Sequence, residues 1–235
     1  MEKKESLKPN KPKTEEADLK PKAGGGGGVS AKLSELYSKL FGVIKFILGV
    51  CLLPFVYSSS VAFLGQFGAV DKNLQDCLWA GVATFLIIYL FIWEPAPVYA
   101  KGHQILEFIF NFFKPLVKVA PFLLPIYTIV LLGLYGLLSL FIKDSWLIQD
   151  AMFLFGFSLI LHLVFSSKSI RTKKGDFLKG NYIFGFSFIY ILNLSILAFG
   201  LNCIFKGFSF VSFCNSAYSE AGNIFYAIIK QLFLR

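Results

Sequence analysis

Charge is scarce in this chain. Of 235 residues only 14 are acidic and 23 are Lys or Arg, 16% in all, where an ordinary soluble domain carries about 25%. With 56% of residues hydrophobic and 28 of them Phe, the apolar surface exceeds what one water-solvated core can hide, so a lipid environment is implied. Histidine is rarer still, at two residues, His103 and His162. The four cysteines (Cys51, Cys77, Cys203 and Cys214) show no C-x-x-C spacing and read as small apolar side chains rather than a redox or zinc motif. No Ser–His–Asp order, phosphate loop or dinucleotide fingerprint is present. Nor does the chain open on a cleavable leader, because the first apolar run starts near residue 40 behind a charged tail.

What is present is a net charge of +9, gathered in the N-terminal tail, short loops and helix ends. That distribution anchors membrane helices on the cytoplasmic side and lacks the basic, base-stacking face that nucleic acid requires. Residues 1–29 form a Lys-, Pro- and Gly-rich cytoplasmic tail, too poor in apolar residues to offset the entropy of ordering. Gly24 to Gly28 are its flexible end. Ser30 is placed to cap a short interfacial helix over 30–40, with Leu33, Leu36, Tyr37 and Leu40 on one stripe.

The fold class expected is all-α, an integral membrane bundle of about five spans within residues 41–206. Apolar runs place them at 41–64, 77–93, 117–142, 147–166 and 182–205. Lys45, near the start of the first, is expected to snorkel to the interface. Pro95, Pro97 and Pro115 bracket a short apolar segment, 98–114, expected to be re-entrant or interfacial. Residues 207–235 read as a C-terminal amphipathic segment, with Glu220, Asn223, Lys230 and Gln231 interrupting the apolar run. The loop around Lys168, Arg171, Lys173, Lys174 and Lys179, opposed only by Asp176, sets the N-terminus cytoplasmic and the C-terminal helix on the outer face. Asn193 and Ser187 are expected to hydrogen-bond between helices, and Gly102 to ease helix packing.

His103 and Glu107 stand at i and i+4 on one helical face, the geometry of paired metal ligands. His162, an ionisable group at membrane depth, is a candidate third ligand. At the level of these residues alone, the alternative is a polar pair near the interface and a hydrogen-bonded neutral imidazole.

The runs VYAKGHQILEF, APFLLPIYT and FGFSLILHLVFSS together resemble a bacterial group of site-2-protease-like membrane metallopeptidases. There the first run reads Y-x-x-G-H-E-x-x-H-A, an A-P-x-x-x-P-x-Y-T segment opens a later span, and a further helix carries a His. The resemblance covers roughly residues 43–205. It implies a zinc-dependent peptidase fold, but Gln104 stands where the family has its general-base Glu and Glu107 where it has its second His. An amide does not take a proton from metal-bound water. The reading is therefore of a catalytically inactive relative in a bacterial inner membrane, with no cofactor, contacting lipid and a membrane partner. Two alternatives stand beside it: a structural or channel-like component, and a zinc peptidase using His103, Glu107 and His162.

Overall fold

The computed structural model describes residues 27–113, 119–142, 144–172 and 182–233. Most of the N-terminal tail, Pro115, and the loop positions Lys173, Lys174, Asp176 and Lys179 lie outside them. The chain divides into two units, residues 1–39 and 40–235, and the packing described below belongs to the second.

Every regular element among the described residues is helical. They are α1 (Gly27–Phe67), α2 (Lys72–Ile87), α3 (Ala96–Ile109), α4 (Ala120–Leu123), α5 (Ile126–Leu138), α6 (Ser145–Thr172), α7 (Tyr182–Ile204) and α8 (Phe210–Phe233). Ser30 therefore lies inside α1 instead of capping a separate helix, and Pro54 is carried within the same helix. The Asp71 side chain accepts from the Asn73 N–H at 2.9 Å and starts α2. A π-turn, Ile88–Ile92, ends that helix before Glu94 and Pro95, where the missing proline N–H stops propagation.

Among the described residues four segments are long and apolar enough to cross a membrane: Leu40–Phe67, Lys72–Ile92, Ser145–Arg171 and Tyr182–Ile204. The expected third span, 117–142, is not one helix. Pro125 cannot donate into a helix, and Leu124 is extended (ψ 122°), so the run breaks into α4 and α5. The 13 residues of α5 reach about 20 Å at 1.5 Å per residue, short of a hydrocarbon core of about 30 Å.

Contacts nevertheless give the broken segment a direction. In α2 and α6, Leu78 lies by Gly156, Phe85 by Phe157 and Tyr89 by Phe165, so the two helices run parallel. The chain between them must return from one end of the bundle to the other. It does so through α4–α5, where Thr128 bonds Ser158 at 2.9 Å and Tyr135 packs edge-on against Phe155, an order antiparallel to α6. α7 then runs beside α1, with Phe184 at Gly49 and Tyr190 bonded to Ser60 at 2.8 Å.

Helix α8 occupies most of the expected C-terminal segment, 207–235. It touches α1 at two places: Phe208, just before it, packs on Phe63, and Phe225 packs on Phe55. Its inner edge is the narrow stripe Phe213, Ala217 and Ala221, while Glu220, Asn223, Lys230 and Gln231 are exposed. Lys45 is not free at a surface. It is only 6% exposed, and its Nζ lies 4.3 Å over the ring of Phe41, one turn back toward the start of the span. The four cysteines are free thiols.

The tightest seam is α2 on α6. A Cβ added to Gly81 would fall within the carbonyl of Phe153, and one added to Gly156 within that of Leu78. Reciprocal glycines thus let the two backbones touch. Around the seam, Phe155, Met152, Leu197 and Leu201 are sealed from solvent.

Candidate functional site

Three helices bring the singled-out polar residues to one place. α3 starts at the Pro95–Pro97 corner and carries Tyr99, Gly102, His103 and Glu107. It can approach α5 because Gly102 has no side chain: a Cβ there would sit 2.7 Å from Cε2 of Tyr127. The Tyr127 hydroxyl donates to the Val98 carbonyl at 2.6 Å, fastening the same contact. The expectation for Gly102 holds for that reason.

His103 Nδ1 and Glu107 Oε1 stand 3.2 Å apart, with the two side chains 21% and 48% exposed. The His103 ring packs edge-on against Phe122 at 4.9 Å between centroids. Gln104 is exposed. Tyr99 lies between the histidines, 6.1 Å from the His103 ring and 5.9 Å from the His162 ring. Burial holds the Tyr99 phenol above its ordinary pKa, partly offset by hydrogen bonds from Ser166 and Ser169, so the group stays protonated. Its hydroxyl meets Ser166 Oγ at 3.1 Å.

His162 is 4% exposed. Its Nε2 is 3.2 Å from the carbonyl oxygen of Phe122 and 3.1 Å from Ser166 Oγ. A carbonyl only accepts, so the Phe122 contact assigns the proton to Nε2. The chain break explains why that carbonyl needs a donor. Ile126 N–H bonds Leu124 O at 2.9 Å, leaving Phe122 and Leu123 without the backbone donors that an unbroken helix supplies. Asn193 on α7 serves the second one: Nδ2 donates to Leu123 O at 3.0 Å and to Ile189 O at 2.7 Å. Two polar side chains at membrane depth thus complete the hydrogen bonding of an interrupted helix, the condition on which such interruptions are tolerated.

The expected metal set fares differently. The structure joins His103 to Glu107 but commits His162 to Phe122 and Ser166. Among the described residues no three His, Cys, Asp or Glu side chains group so as to hold a metal ion. A protein zinc site uses at least three such ligands.

Sequence reasoning missed the role of Tyr99 and the partners of His162 and Asn193. The signal available was Pro121 and Pro125 inside an apolar run, which predicts unpaired carbonyls and hence nearby donors. Comparison with family models, curated proteins and solved structures finds no match.

Proposed function

We propose that this chain is a non-catalytic multi-pass membrane protein with the helix plan of a site-2-protease-like peptidase, and that it acts by binding another membrane protein. Its N-terminus lies in the cytoplasm, at a bacterial inner membrane, and α4–α5 makes the third of five crossings. The observation that carries the reading is the hydrogen bond of His162 to Phe122. It joins two of the three runs that carry the resemblance, and the His103 ring of the first packs on the same Phe122, yet it spends the imidazole on holding the backbone. Gln104, at the general-base position, offers only an amide.

Support for a partner comes from α1, whose span has 11% of its most apolar window buried against 44% for α7. Tyr57, Val61 and Leu64 present large apolar surface along it. Binding through such a face costs no desolvation of charge.

Metal analysis of the detergent-purified protein at neutral pH is expected to find zinc far below one per chain. Stoichiometric zinc that is lost on His162→Ala, or cleavage of a transmembrane peptide that is lost on Gln104→Ala, would overturn the non-catalytic reading. For the partner, a photo-crosslinking residue at Tyr57 or Val61 should yield one discrete protein adduct in native membranes, and the same probe at Leu154 on α6 should not. Adducts with lipid alone at both places would remove it.

A further inference from the structure

A second polar place lies away from the histidines. A cavity of about 270 Å³ is lined by Tyr89, Val164, Ser167, Lys168, Arg171 and Tyr182. Three elements build it: the π-turn after α2, the last turns of α6, and the first residue of α7. Each contributes the end of a segment long enough to span, since the apolar segments stop at Ile92 and Arg171 and restart at Tyr182. The cavity therefore sits at one membrane–water boundary, the depth at which lipid phosphates lie.

Its chemistry suits that depth. Lys168 and Arg171, at i and i+3, bring two cations to one face of α6. Glu94, just outside the lining, pairs with Lys168, while Arg171 stands exposed at the helix end. Tyr89 and Tyr182 add hydroxyls that can donate to an anion. Trp93 and Tyr182 are about half exposed beside it, in the manner of an aromatic belt at headgroup level. A guanidinium with a neighbouring ammonium and hydroxyls matches a phosphate's several acceptor oxygens.

We propose that this cavity seats the phosphate of an anionic phospholipid headgroup. The alternative source of the same chemistry, soluble phosphate, has no reason to prefer a boundary where three spans end. The site does not depend on whether the chain binds a protein partner.

The test uses the full chain, reconstituted in phosphatidylcholine nanodiscs with or without phosphatidylglycerol, with bound lipid counted by native mass spectrometry. Phosphatidylglycerol should be retained preferentially. Removing one cation near a membrane surface weakens anionic-lipid binding about five-fold, so Arg171→Gln should lower retention by that factor. Arg171 is exposed at a helix end, so the variant keeps its fold. Glu94→Gln removes one negative charge from the rim of the cavity and should raise retention. Lys72→Gln, at the opposite end of α2 and paired there with Asp76, should leave it unchanged.

Equal retention of both lipids by the unaltered chain would overturn the proposal, as would an Arg171→Gln effect no larger than that of Lys72→Gln. Displacement of the bound lipid signal by millimolar inorganic phosphate alone, with no preference between lipid compositions, would assign the cavity to the soluble ion instead.

Discussion

Gly81→Ala is expected to destabilise the bundle more than a methyl added at any other described glycine, with Gly156→Ala close behind. At both positions the new Cβ meets a backbone carbonyl of the facing helix, not the end of a side chain that can swing away. Relief requires α2 and α6 to move apart along the seam that Phe85, Phe155 and Met152 fill. Overpacking in a dense core typically costs about 1–3 kcal/mol, and a clash with main chain belongs at the top of that range. Gly133→Ala and Gly136→Ala supply the control, because nothing lies within 4 Å of a Cβ at either position. Thermal unfolding in a mild detergent separates the cases. The seam variants should melt well below the unaltered protein, and the α5 variants at or above it, since alanine is the better helix former by about 1 kcal/mol. A Gly156→Ala protein with an unchanged melting point would mean that α2 and α6 do not touch through backbone.

The second large effect is expected at the break between α4 and α5. His162→Leu leaves the Phe122 carbonyl without its donor, and Asn193→Leu does the same to Leu123. A buried acceptor left unpaired costs about 1–3 kcal/mol. His162→Gln, which retains an N–H donor on a side chain of comparable reach, should recover part of the loss, whereas Asn193→Leu has no such rescue. The two carbonyls are neighbours on one short helix, so the double Leu variant should cost less than the sum of the singles once α4 has loosened. Unfolding curves for the four variants decide it. If His162→Gln behaves no better than His162→Leu, hydrogen bonding to Phe122 is not what holds the imidazole in place.

Much of the helical plan was legible in the residues, for a physical reason. A stretch of about 20 apolar residues has no alternative to a helix inside lipid, so the runs around α1, α2, α6 and α7 could be placed to within a few positions. The third run was misread as continuous because its hydropathy is high throughout. Hydropathy does not register that Pro121 and Pro125 remove two donors, and only the spacing of those prolines carries that information. The direction of α8 was also out of reach: its polar positions announce an amphipathic helix, but pairing Phe225 with Phe55 is a long-range contact that periodicity does not encode.

At the candidate site the pattern was similar. His103 and Glu107 could be paired because four residues of helix bring them together whatever the rest of the fold does. His162 could be singled out as costly at membrane depth, but its partner lies 40 residues away on a backbone carbonyl. Carbonyls are the same in every residue, so no side-chain pattern points to one. The Tyr99 contact with both histidine rings likewise depends on how α3 turns after Pro95.

The capped break also has a bearing on how the chain is made. Synthesis runs from the N-terminus, so α4 and α5 leave the ribosome before His162 and Asn193 exist as folded neighbours. Until then the Phe122 and Leu123 carbonyls need water or the insertion machinery as hydrogen-bond partners. The α4–α5 segment should therefore settle late, as a follower of the two helices translated after it. A chain truncated after residue 142 should leave that segment accessible to a water-soluble cysteine label placed at Leu124, and extension through residue 204 should protect it.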